Sequence, residues 1–181
     1  MNISNHIIDD ARFIASPNHD SRPKETPISL IILHAISMPA GEYVTENIVK
    51  LFNNELNPND HPDFKSVSDL KVSSHLLITR SGSVLQFVPF NKRAWHAGIS
   101  VFEEQENCND FSIGIELEGC DDDIFEEIQY EVLNSILNLL IKEYSIPKKN
   151  IVGHQHVAPD RKTDPGPNFN WSKINSDRLD R

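Results

Sequence analysis

Residues 28–34 read ISLIILH, the strongest apolar run in the chain. The run is short, rich in branched side chains and preceded by Pro27, which predicts a buried strand. Residues 111–118, FSIGIELE, alternate: Ile113, Ile115 and Leu117 share one face, and Ser112, Gly114, Glu116 and Glu118 share the other. Between these stretches, residues 72–79 and 83–88 flank Arg80-Ser81-Gly82, a hairpin signal. Residues 45–56 place Ile48, Val49, Leu51 and Phe52 at helical spacing, with Thr45 as the cap. Farther on, Ile128, Val132, Ile136 and Leu140 step by four, and Leu133, Leu137 and Leu139 widen the stripe. Asp121, Asp122 and Asp123 precede that helix, where acids suit its dipole, and Pro147 ends it. Residues 150–153 read as a short strand, and a last short helix starts near Trp171. Residues 57–66 and 91–111 read as loops, the second long enough to point to a function. Strands, a hairpin and one long amphipathic helix predict an α/β or α+β architecture. One domain is expected over residues 1–181, with 1–27 as an irregular, Pro-punctuated arm holding one short strand near Arg12–Ile14.

Composition narrows the function. With 27 acidic against 17 basic residues the formal net charge is -10. A protein that grips phosphate backbones presents a basic face, so no nucleic-acid partner is expected. Cys108 and Cys120 are the two cysteines, too few for a disulfide scaffold. The first residues, MNISNHIIDDARFIASPNHD, carry neither a basic n-region nor an apolar h-region, and no stretch of about 20 apolar residues follows. The expectation is a cytoplasmic protein with no membrane partner.

Histidine dominates the candidate chemistry. Of eight, His6, His19 and His61 lie in polar segments and receive no role; His75 reads as a hydrogen-bonded structural residue within a strand. His34 ends the most apolar strand just before a loop, where a rigid scaffold presents groups to a pocket. His154 follows another short apolar segment, and Asp164 lies ten residues on, in a stretch that also reads as an ordinary Asp-Pro-Gly turn. Two histidines and one carboxylate are a workable zinc set that leaves a fourth position for water. His156 could also approach a metal, because residues two apart in an extended segment face the same side, but it ranks behind Asp164 as an outer or surface residue, since a ligand from a third chain segment cages the ion better. Glu116 is either a solvent-facing acid like Glu118 or a general base, depending on whether its face lines a cleft. Lys162 is either a surface lysine or a cation beside a developing oxyanion. Trp95 and His96, on the long loop, are either anchors or a pocket wall.

Five stretches together carry a family resemblance: SPNHDSRP (16–23), LIILHAISMPAGEY (30–43), VPFNKRAWHAGIS (88–100), CNDFSIGIELEG (108–119) and GHQHVAPDRKTDPGPNFNW (153–171). From about Arg12 to Trp171 the chain resembles the amidase type 2 family, which shares its fold with peptidoglycan recognition proteins, and within it the cytoplasmic members of Gram-negative bacteria. The resemblance implies a mixed central β-sheet packed by helices. It implies one Zn2+ held by His34, His154 and Asp164, with Glu116 and Lys162 as the catalytic pair. The implied reaction cleaves the amide between 1,6-anhydro-N-acetylmuramic acid and the L-alanine of a stem peptide, a step of cell-wall recycling that can affect β-lactamase induction. The implied partner is a small anhydromuropeptide, and a monomer is expected. Three positions implied to meet substrate depart from the family: Ala35 where Asn is usual, and Lys71 and Asn107 where Arg is usual. Arg pairs with carboxylates in a bidentate manner that Lys does not match. These departures keep a rival in view, a non-catalytic muropeptide-binding module on the same fold.

Overall fold

A computed structural model describes residues 1–174 of the chain. In order, the arm contributes β1 (Ile3–Ser4), β2 (Ile7–Ile8), β3 (Arg12–Phe13) and β4 (His19–Ser21). Then come β5 (Leu30–Ile36), α1 (Thr45–Phe52), β6 (Leu76–Ile78), β7 (Val84–Gln86), β8 (Lys92–Ala94), β9 (Val101–Phe102) and β10 (Gln105–Glu106). The chain continues through β11 (Ser112–Glu118), α2 (Glu127–Tyr144), β12 (Ile151–Gly153) and α3 (His154–Val157). Short 3-10 turns occupy Pro62–Ser66, Cys108–Asp110, Lys148–Asn150 and Trp171–Lys173. No helix among the described residues is long and apolar enough to cross a membrane.

Six strands form one mixed sheet in the order β12-β5-β11-β6-β7-β3. β12, β5, β11 and β6 run parallel, β7 turns back antiparallel to β6, and β3 lies parallel to β7. The two seven-residue strands, β5 and β11, sit side by side in the middle. Their register sets Glu116 opposite His34 and Gly114 opposite Ile32.

The alternation of β11 sorts its residues between two layers. Ile113, Ile115 and Leu117 join Ile31, Leu33 and Ile151 beneath the apolar stripe of α2, where Leu133, Ile136, Leu137 and Leu140 are buried. The opposite face is covered in two separate patches. One is built by α1 on Leu77, Leu85 and Phe87; the other packs Leu30, Ile32 and Val152 against Ala97, Cys108 and Phe111. The polar residues of β5 and β11 on this face emerge between those patches.

Several local expectations are corrected. The arm holds four short strands instead of one, each paired to a partner: β1 with β2, β3 along the sheet edge on β7, and β4 with β8. The 91–111 segment contains β8, β9 and β10, each too short to leave a periodic signal. The 57–66 segment contains a 3-10 turn that buries Phe64. His75 lies just before β6 rather than inside a strand, and it is fully buried and hydrogen-bonded. Helix α1 is capped from Val44 without a side-chain bond, since the Thr45 hydroxyl donates to Glu118 Oε1 at 2.6 Å. Helix α2 starts later than the Asp triplet, capped reciprocally by Glu126 and Gln129, and it stops at Tyr144 where Ser145 turns left-handed, ahead of Pro147. Glu118 is buried, not solvent-facing: its other oxygen accepts the Arg80 backbone N–H at 3.0 Å.

Candidate metal centre and its cleft

His34 is the fifth residue of β5, Glu116 is the fifth of β11, and His154 is the first residue past β12. The parallel strands therefore deliver all three to one end of the sheet. The carboxyl ends of parallel strands are where open α/β sheets build their sites. Asp164 comes from the Pro/Gly-rich segment after α3. Its backbone carbonyl accepts the Gln155 N–H at 3.0 Å, which pins that segment beside His154.

Three atoms converge. His34 Nδ1 lies 3.0 Å from His154 Nδ1 and 3.0 Å from Asp164 Oδ2, and His154 Nδ1 lies 3.1 Å from the same oxygen. All three residues are buried. The carbonyl of Ala97 stands 3.0 Å from His154 Nε2 and only accepts, so that ring carries its hydrogen on Nε2 and turns a bare Nδ1 inward. The triangle thus packs a carboxylate oxygen and two ring nitrogens together with at most one hydrogen to share. A cation resolves that crowding. Ligands of a tetrahedral zinc at about 2.0–2.2 Å stand about 3.3 Å apart, so the observed edges fit such an ion with a shift of a few tenths of an ångström. Burial lowers the His34 pKa to about 4, against the pull of Asp164, which favours the neutral ring a metal needs. Burial opposes ionisation of Asp164, but its hydrogen bonds to His154 and His34 outweigh that and hold the carboxyl far below its ordinary range.

The triangle opens on a cleft of about 440 Å³. Glu116 and Lys162 line it with the three converging residues. Glu116 is 8% exposed, and its Oε2 has no hydrogen-bond partner. Burial, reinforced by the nearby Asp164 charge and only partly offset by Lys162, raises its pKa well above the ordinary carboxylate value. A carboxyl with a raised proton affinity is the kind of group that serves as a proton carrier. A larger, shallower concavity of about 970 Å³ surrounds Tyr43 and Arg80, but the guanidinium of Arg80 is already committed to Glu126 and the Ile124 carbonyl.

Trp95, His96 and Ala35 also line the cleft. Lys71 and Asn107 are exposed and are not among the lining residues; Lys71 falls between Leu70 and Val72, which are. His156 is in helix α3, so the extended geometry that would aim it at the metal does not exist. Its Nδ1 accepts the Gly153 N–H at 2.8 Å and its ring packs on Trp171. The sequence reading passed over Arg22, Asn109 and Gly114, which hold the cleft wall. Arg22 and Asn109 fall inside the quoted stretches SPNHDSRP and CNDFSIGIELEG, but nothing local marks a buried role. Gly114 did carry a signal, being the one residue without a side chain on the polar face of β11.

Comparison with known proteins agrees with this geometry. A family model described as N-acetylmuramoyl-L-alanine amidase matches residues 24–167. The chain is 47% identical over 165 residues to the 1,6-anhydro-N-acetylmuramyl-L-alanine amidase AmpD of Citrobacter freundii, covering 91% of this chain and 88% of that protein. A crystal structure of a selenomethionine derivative of AmpD superposes with a TM-score of 0.94 at 45% identity, covering 96% of this chain and 97% of that one. The amidase AmiD of E. coli, solved with the substrate anhydro-N-acetylmuramic acid-L-Ala-D-gamma-Glu-L-Lys, matches at a TM-score of 0.60 and 29% identity, over 84% of this chain and 58% of that one. Matched along most of its length by the family model, and at nearly half its positions by such a relative, the chain belongs to the N-acetylmuramoyl-L-alanine amidase family.

Proposed function

We propose that this chain hydrolyses the amide between 1,6-anhydro-N-acetylmuramic acid and L-alanine in muropeptides of the cytoplasm, as a zinc enzyme of cell-wall recycling acting as a monomer. The observation that carries the reading is the buried His34–His154–Asp164 triangle with an unpartnered carboxyl oxygen, Glu116 Oε2, in the same cleft. The AmpD name of the similar proteins supports the choice of substrate.

His34, His154 and Asp164 would hold the metal. Zinc there supplies Lewis-acid polarisation of the scissile carbonyl and a water of lowered pKa. Glu116 takes the proton of the attacking water and passes it to the amine nitrogen of the departing L-alanine. Its raised proton affinity suits both halves of that transfer. Lys162 makes no side-chain hydrogen bond or ion pair with a described residue, which leaves its ammonium for the oxyanion that develops on the carbonyl. Trp95 presents an apolar wall to sugar or peptide, Ala35 meets the stem peptide inside the cleft, and Lys71, between the lining residues Leu70 and Val72, tunes the grip from the rim, whereas Asn107 lies outside the lining.

The test is turnover of anhydromuramoyl-tripeptide by the purified protein, with chelator and after zinc is restored. Loss on chelation and recovery with zinc is the expected result. Turnover indifferent to chelation would refute the metal reading. Stoichiometric zinc without turnover would leave the binding-module rival standing.

A further inference from the structure

The triangle does not hold itself. Each histidine in it is gripped from behind, and both grips come from two adjacent residues. His154 Nε2 donates to the Ala97 carbonyl at 3.0 Å. His34 Nε2 stands 3.0 Å from His96 Nδ1. With His34 Nδ1 turned to a metal, Nε2 carries the hydrogen and His96 Nδ1 accepts it. His96 Nε2 then holds the remaining ring hydrogen, 3.2 Å from the Ser112 hydroxyl. Both nitrogens of His96 are therefore spent inside the protein, so what it can offer a substrate is the surface of its ring.

Residues 96 and 97 lie outside any strand, just past β8, and a side chain takes the place of a strand partner for their backbone N–H groups. The Asn109 side-chain oxygen accepts both the His96 N–H at 3.2 Å and the Ala97 N–H at 2.8 Å. The Asn109 backbone is in turn clamped by the Arg22 guanidinium, which takes its carbonyl at 3.1 Å. The His96 ring lies on bare backbone: a Cβ on Gly114 would fall 2.5 Å from its Cγ. It also meets the His34 ring edge-on, with centroids 5.1 Å apart at 87°.

We infer that the His96–Ala97 segment, pinned by Asn109 and seated on Gly114, is the positioning element that fixes the tautomer and direction of both histidine ligands. This rests on reading His34, His154 and Asp164 as the metal centre. Outer partners of metal-bound histidines hold ligand direction, and their removal costs about 10–100-fold in metal affinity.

The experiment measures zinc affinity of the full-length protein by competition with a chromophoric chelator, alongside the visible spectrum of the Co2+ form. His96→Ala and Asn109→Ala are expected to weaken zinc about 10–100-fold and to alter the Co2+ spectrum. His96→Asn puts an amide oxygen near the place of Nδ1, and Asn109→Asp keeps the acceptor for both N–H groups; each is expected to restore most of the loss. Thermal midpoints of the metal-free proteins report folding, and the His96 pair stands alone if Asn109→Ala does not fold. Wild-type affinity in both alanine variants would overturn the inference. So would losses that neither conservative variant repairs while the metal-free midpoints fall with them, which is the mark of a merely structural role. If wild type binds zinc no better than a His154→Ala control, the metal centre itself is wrong and the inference falls with it.

Discussion

Replacing Glu116 by Gln separates what the cleft does from what it costs. The side chain is 8% exposed with an orphaned oxygen, and the folded protein binds its proton more tightly than the unfolded chain does. A carboxyl raised in the folded state lends its full stability below the unfolded value and loses it as pH rises through the folded value. At pH 8 the metal-free wild type therefore carries a penalty that a neutral amide of the same shape does not. A tenfold difference in proton affinity is about 1.4 kcal/mol. In a chain of this length each kcal/mol moves the thermal midpoint about 2–4 °C. Metal-free Glu116→Gln should thus unfold above wild type at pH 8, by about 3–6 °C for each tenfold difference in proton affinity, with the gap closing as pH falls towards the ordinary Glu value. The same variant should lose about 10²–10⁴-fold in turnover with zinc restored, the worth of a positioned proton carrier. Calorimetry in chelator from pH 4.5 to 8, paired with turnover of anhydromuramoyl-tripeptide, reads both. A variant no more stable than wild type at pH 8, or one equally active, would refute the reasoning.

Other perturbations test the frame around the cleft. Arg22 is largely buried and donates to the carbonyls of Phe90, Asn109, Asp110 and Ser112, while burial lowers its pKa to about 10. Arg22→Met should cost about 3–5 kcal/mol in urea unfolding because those carbonyls lose a charged donor. Arg22→Lys should recover little, since three donors on a point charge do not span that fan; a full rescue would show that charge alone matters. Gly166 sits at φ 91°, and a Cβ there would overlap the Asp121 backbone. Gly166→Ala should push the 121–123 and 163–168 segments apart and lower the thermal midpoint; an unchanged midpoint would mean the two segments are not pressed together. His75 is held neutral, its pKa well below 6.5, first by burial and then by the Arg22 charge. A depressed pKa contributes stability above the unfolded value that is lost as pH falls. Metal-free wild type should therefore weaken below about pH 6.5, and His75→Gln should flatten that slope by up to about 1.4 kcal/mol per pH unit. Parallel slopes for the two proteins would contradict it.

The legible parts of the fold were those with a long period. β5 announced itself by the apolar run Leu30–Leu33, β11 by strict alternation, and α2 by its fourfold steps, because each buries a whole face against a partner. The arm and the 91–111 segment did not, because their strands are two or three residues long and owe their pairing to contacts distant in sequence, such as Arg93 bridging Asp20 and Asp110. Capping failed at Thr45 for a related reason: a hydroxyl that could cap its own helix is drawn instead to a buried carboxylate on β11.

The alternation of β11 carried more information than a strand assignment uses. Its polar face reads Ser112, Gly114, Glu116, Glu118, and each has a different neighbour above it: the His96 ring nitrogen, the His96 ring itself, the open cleft, and the Thr45 hydroxyl. A solvent-facing strand has no need to alternate a hydroxyl, a glycine and two acids in that order. Two buried carboxylates two residues apart on one strand face would repel each other unless their surroundings divided them. Here Glu118 accepts two hydrogen bonds, while Glu116 has an oxygen that accepts none. One strand face thus bears an anchored acid beside an available one. That contrast favours Glu116 over Glu118 for the proposed proton-carrying role on grounds the one-dimensional pattern could not supply, because both residues look alike until their partners arrive from elsewhere in the chain.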